Sequence, residues 1–179
     1  MQIIPVIDLK DGLAVHAVRG DRSRYQPIHT ISRLTGASEI NAVIQGFLKL
    51  YPFQTFYIAD LNAITGSGSQ QQAILPVLAE YPEIAFWIDS GLTLAELSLN
   101  GRPANYKPVI GTESQIVLPY AEIGRHGRDF ILSLDFKDQQ PLGHSAWFAD
   151  AGLWPRRVIV MTLAGSAVLP APISANSAR

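Results

Sequence analysis

The chain has no cysteine. Disulfides, thiolate metal sites and cysteine nucleophiles are therefore excluded, and a reducing compartment, the cytoplasm, is expected. No apolar run approaches the roughly 20 residues that a membrane-crossing helix needs. No basic stretch leading into an apolar one opens the chain, which predicts no secretory leader. Neither sign of charge dominates. Fourteen Lys and Arg stand against 15 Asp and Glu, a net charge of -1, which argues against nucleic acid or an anionic membrane as main partner. His16, His29, His126 and His144 lack ligand spacing such as His-x-x-x-His, so no metal site is expected. The loop Thr65-Gly66-Ser67-Gly68-Ser69 lacks the Gly-Lys-Ser/Thr ending of a phosphate loop, and no Gly-x-Gly-x-x-Gly follows the first apolar run. Both absences count against a nucleotide or dinucleotide fold.

What is present is a rhythm. At 179 residues and 47% hydrophobic, the chain is long and apolar enough for one domain with a real core. The run Ile3-Ile4-Pro5-Val6-Ile7 is continuously apolar and stops at Asp8. Such a run, without alternation, is the signature of a parallel strand buried on both faces. Asp11-Gly12 then signals a hairpin turn into a short return strand over 13–18. Five more apolar runs follow at 53–59, 84–88, 106–110, 130–134 and 158–161. They end respectively at Asp60, Asp89, Gly111-Thr112, Asp135 and Thr162. Helical patterns lie between several of them. Ser38 is placed to cap a helix whose apolar stripe is Ile40, Val43, Ile44, Phe47, Leu48 and Tyr51. A second helix is expected over 70–81, with Pro76 forcing a late start or a kink. Thr93 and Glu96 form a capping box for a short helix, and a weaker helix spans 114–124 across Pro119. The alternation predicts a parallel α/β sheet, either open or closed into a barrel.

In such sheets the chemistry sits at the C-terminal strand ends. Asp8 is therefore either a functional carboxylate or a turn residue. Asp60 either contacts a ligand or caps its loop. The loop Arg19-Gly20-Asp21-Arg22-Ser23-Arg24-Tyr25 either grips an anion or is a solvated loop, and Trp147 and Trp154 either cover a bound ring or pack.

The strand-end motifs carry a resemblance. They are Ile-Pro-Val-Ile-Asp-Leu at the first strand, Tyr-Ile-Ala-Asp-Leu-Asn-Ala at the second, and Ser-Gly-Leu after the third. Ile-Gly-Thr ends the fourth, Leu-Ser-Leu-Asp the fifth and Val-Met-Thr the sixth. From Met1 to about Ala164 the chain resembles the histidine-biosynthetic ProFAR isomerases (the HisA/HisF family). It looks closest to an uncharacterised side branch of methylotrophs and methanogens. The resemblance implies a TIM (β/α)8-type barrel, here incomplete at about six βα units over 1–164, since a full barrel needs roughly 250 residues. It implies an Amadori rearrangement of an aminoaldose to an aminoketose. Asp8 would be the base, Asp135 the acid, and Thr162 would orient the opened sugar. Gly91, Gly111 and Thr112 would bind a substrate phosphate through backbone N–H groups, with Asp60 and Arg19 contacting substrate. The implied partner is a small phosphorylated sugar-type substrate, with no metal or organic cofactor. Asp89-Ser90-Gly91 stands where the family has three glycines, and Glu113 where a small residue is usual. Their carboxylates would repel a phosphate unless they point away. The side branch implies an alternative role in C1-carrier (methanopterin-type) cofactor synthesis. Residues 165–179 are rich in Ala, Ser and Pro and read as a disordered, non-family tail, the mark of a truncated or frame-shifted gene. That ending predicts a non-catalytic fragment, or self-association through open barrel edges.

Overall fold

The computed structural model describes residues 2–16, 25–98, 100–126 and 129–163. Arg19 and the 165–179 tail lie outside them. Six parallel strands form where the apolar runs predict them: β1 (Val6–Lys10), β4 (Thr55–Asp60), β5 (Ala85–Asp89), β6 (Tyr106–Gly111), β7 (Ile131–Lys137) and β9 (Arg157–Leu163). Each pairs with the next in chain order. Three short antiparallel strands complete a nine-stranded mixed sheet: β2 (Leu13–His16), β3 (Gln26–Pro27) and β8 (Gln140–Pro141).

The expected incomplete barrel of six βα units is not formed. The sheet is open, and the described residues contain five helices: α1 (Ile40–Leu50), α2 (Leu61–Ile64), α3 (Gln71–Glu80), α4 (Tyr120–His126) and α5 (Ala146–Ala149). Local chemistry explains the difference. Asp11 and Gly12 have φ of 50° and 84°, the left-handed pair that a tight hairpin turn requires. That turn sends β2 back against β1 and covers the upper part of its edge. After β5, the Thr93–Glu96 box forms its reciprocal bonds, Thr93 N–H to Glu96 Oε2 at 2.9 Å and Glu96 N–H to Thr93 Oγ1 at 3.3 Å. Only a turn follows, because Leu94 and Leu97 leave it for the core. After β7 the chain again doubles back, into β8, and α5 is a single turn.

Ser38 does not cap α1. Its hydroxyl accepts the His29 N–H at 3.0 Å and pairs with His29 Nδ1 at 2.7 Å, and Glu39 precedes the helix without a side-chain cap. Pro76 is accommodated inside α3. Helices pack on one face of the sheet. Ile44 of α1 and Ile74 and Leu78 of α3 bury Leu9, Phe56, Ile58, Phe86 and Ile88. Trp147 of α5 closes a second cluster with Ile110, Leu132 and Leu134. Full burial of side chains this large contributes about 1.5–3 kcal/mol each. Trp147 is thus a packing residue, not a ligand cover. The opposite face carries an apolar floor of Tyr57, Ala59, Val109 and Ile131.

Candidate active site

Register decides which strand-end residues meet. Asp8 is level with Ala59, Ala59 with Asp89, and Asp89 with Val109. Side chains alternate along a strand, so residues level with one another share a face. Asp8 and Asp89 therefore project from the face that carries Tyr57 and Val109. Val109 is level with Ile131, and Asp135 lies four residues further on, an even step that keeps the same face. Three carboxylates stand together over the apolar floor, at the C-terminal end of the parallel strands.

The phenol of Tyr57 joins them. Its hydroxyl donates to Asp89 Oδ2 at 2.8 Å. Burial, then Asp89, Asp135 and Asp8, push its ionisation far above the ordinary range, so the phenol keeps its proton. Asp89 also accepts the Gly91 N–H at 3.0 Å. Burial raises its pKa, opposed by those two hydrogen bonds. Asp135 is 4% exposed. Its Oδ1 accepts the Ser133 hydroxyl at 2.6 Å and its Oδ2 the Glu113 N–H at 3.2 Å, while its own N–H donates to Thr112 Oγ1 at 2.9 Å. Burial raises its pKa. The Ser133 and Glu113 bonds oppose that, and the charge of Asp89 adds to it. Gly111 makes this seat: a Cβ there would lie 2.8 Å from Asp135 Oδ2. Asp8 differs. Burial raises its pKa, His16 pulls it back, and no described residue donates a hydrogen bond to it.

Not every expected site residue joins the cluster. Thr162 is level with Phe136, whereas Asp135 is level with Met161. Thr162 thus leaves the sheet on the other face and is exposed. Asp60 is fully buried on that other face. It caps α2 by accepting the Ala63 N–H at 3.0 Å, and it takes the Gln70 N–H at 2.8 Å. Its role is the cap, not ligand contact. Of the backbone donors assigned to a phosphate, that of Gly91 is occupied. Asp89 holds Gly91 N–H, and Gly111 and Thr112 serve to seat Asp135. Gly91 is required by its φ of 65° and by Ile64 Cα, 2.9 Å from where a Cβ would stand. Asp89 does not point away. It belongs to the cluster, together with Tyr57 and Ser133, which the sequence did not single out. Tyr57 lies two residues before the level of Asp8 on the neighbouring strand, a placement that only the register reveals. Among the described residues no three acidic or histidine side chains are grouped closely enough to hold a metal ion.

The carboxyl of Asp8 gives a stability test. Its folded pKa is raised, so the native state holds the proton more tightly than the unfolded chain. Its contribution is then fully present below the ordinary aspartate value of 3.8 and is lost as pH rises through the folded value. At neutral pH the buried charge is a cost, and Asn removes it without forfeiting a hydrogen bond from any described residue. Asp8→Asn is expected to melt above wild type at pH 7, by roughly 2–4 °C per kcal/mol recovered. The gap should close as pH falls below 4. Thermal melts from pH 3 to 8 measure it, and a variant less stable than wild type at pH 7 would contradict the assignment.

Among the described residues no helix is long and apolar enough to cross a membrane. No family model matches the chain. It is similar to an uncharacterised protein of Methanocaldococcus jannaschii, at 33% identity over 148 residues covering 81% of this chain. The chain spans 61% of the length of that relative.

Proposed function

We propose that the chain is an isomerase that performs an Amadori rearrangement, turning an aminoaldose into an aminoketose. The observation that carries this reading is the pair Asp8 and Asp135. Both carboxyls rise from one face at the C-terminal strand ends, and burial raises the pKa of each. The two environments differ. Asp135 is almost fully buried and has a carboxylate neighbour that favours its protonated form. Asp8 receives no hydrogen bond from any described residue and has a histidine that favours its charged form. Carboxyls in contrasting surroundings can divide acid and base tasks. Asp135 gives its proton to the sugar ring oxygen as the C1–O bond breaks, and the amine lone pair forms the iminium. Asp8 removes the proton from C2, giving an enaminol. Protonation at C1 and loss of the hydroxyl proton then leave the ketone, with no net gain or loss of atoms.

The substrate is less constrained than the chemistry. Since Asp89 takes the Gly91 N–H, that end of the cluster does not favour a phosphate. This favours a second reading of the substrate, a precursor in C1-carrier cofactor synthesis without a phosphate at this position. The test is incubation of the purified protein in heavy water with a ProFAR-type aminoaldose, followed by proton NMR. Conversion to an aminoketose with deuterium at the new methylene is expected. Absence of both conversion and C2 exchange for ProFAR-type and unphosphorylated aminoaldoses alike would overturn the isomerase reading.

A further inference from the structure

We propose a second binding site at the opposite end of the sheet, for a small ligand carrying clustered phosphate groups. The inference does not rest on the isomerase reading. The N-terminal ends of β6, β7 and β9 enclose a cleft of about 430 Å³ lined by Arg102, Lys107, Arg156 and Arg157, with Tyr106 and Asp129. That volume lies in the range of small-molecule sites. Four of the chain's 14 Lys and Arg gather here against one lining carboxylate, in a protein whose net charge is -1. Among the described residues none of the four forms an ion pair. Surface cations normally disperse or pair with acids, so four unpaired around one concavity repel each other and lower the cost of accepting an anion.

Part of the site is already ordered. The Arg102 guanidinium lies 4.3 Å from the centre of the Tyr106 ring, and its Nε donates to Ser98 O at 3.0 Å. Tyr106 is itself buried. This leaves the remaining N–H groups of a positioned fork for oxyanion contacts, the geometry in which Arg binds phosphate best. Register brings in the others. Arg157 opens β9 level with Ile131, the first residue of β7, and Lys107 lies near the start of β6. Cations at and just before the starts of β6 and β9, on either side of β7, converge on one opening, which suits two or more linked phosphates better than one. Along β7, Ile131 and Asp135 are about 13 Å apart, at 3.3 Å per residue. The cleft is thus separate from the carboxyl cluster, and its ligand would be an additional one.

Calorimetric titration of the full chain with inorganic pyrophosphate, ATP, orthophosphate and a single-stranded RNA tests this. Pyrophosphate and ATP are expected to bind at 1:1 and to raise the melting temperature by mass action. Orthophosphate should bind more weakly. Arg156→Gln/Arg157→Gln should weaken pyrophosphate at least about tenfold, the scale of losing a charge-assisted hydrogen bond. Lys107→Gln serves as the second variant if the double one fails to fold. Lys49→Gln, on the last turn of α1, should change nothing. No binding, affinity unchanged in both cleft variants, or an equal loss in Lys49→Gln would overturn the site. Binding of RNA alone would replace it with a nucleic-acid surface.

Discussion

Asp135→Asn will lower turnover of an aminoaldose by about 10²-fold or more, the scale of a lost general acid. The amide keeps the shape of the carboxyl and can still accept from Ser133 or from the Glu113 N–H, so the seat against Gly111 survives. What disappears is the proton that burial and Asp89 favour there. Asp8→Asn should cost as much for a different reason, because C2 then has no base. The two losses are separable. A substrate whose ring is already open bypasses the acid and should restore Asp135→Asn substantially, while Asp8→Asn stays inactive and shows no deuterium exchange at C2. Rate should rise with pH as Asp8 ionises and fall as Asp135 loses its proton. Asp8→Asn should be both more stable and less active, the trade-off of a site that holds an unfavourable charge for function. Near-normal turnover in either variant would remove its assigned role.

Much of the sheet is readable along the chain, but not which way its residues face. The six parallel strands stand out because each is a continuous apolar run. That same continuity hides the site. A strand apolar at every position has no alternation, so the sequence does not tell which of two adjacent residues faces which side, and a one-residue shift reverses every assignment. Asp60 and Asp89 both end such runs, yet one caps a helix on the buried face and the other joins the carboxyl cluster. Thr162 ends the last run and leaves on the wrong face for Asp135. Closure was equally illegible. The β1–β2 turn announces itself as Asp-Gly. The β7–β8 turn uses Asp138 and Gln139 at φ of 50° and 65° and carries no glycine signal. The barrel expectation fails at these return strands, and at a capping box that closes a turn without starting a helix. Tyr57, read as one more apolar strand residue, takes its role from a partner 32 positions away.

Gly143→Ala will destabilise the fold by more than about 3 kcal/mol, in the range of the most damaging substitutions. Gly143 has φ of 97°, a region L-residues rarely adopt. A Cβ added there would also overlap the carbonyl oxygen of Thr112. Neither side can yield. Leu142 N–H bonds to Asp135 O at 2.8 Å and His144 N–H to Gln115 O at 3.1 Å, so the segment is fastened on both sides of the glycine. Thr112 is fully buried, and its hydroxyl accepts the Asp135 N–H. Relief of the overlap must therefore break the bonds that hold Asp135 or expose Thr112. At roughly 2–4 °C per kcal/mol for a chain of this size, the melting temperature should fall by about 6–12 °C. Gly36→Ala is the matched control: no atom lies within 4 Å of its would-be Cβ and its φ is not positive. It should be neutral, or stabilising by about 0.4–1 kcal/mol through the unfolded chain. Thermal unfolding of the two variants beside wild type decides the matter. If Gly143→Ala melts with wild type, the return from β8 does not press on Thr112, and the seat of Asp135 is looser than its hydrogen bonds imply.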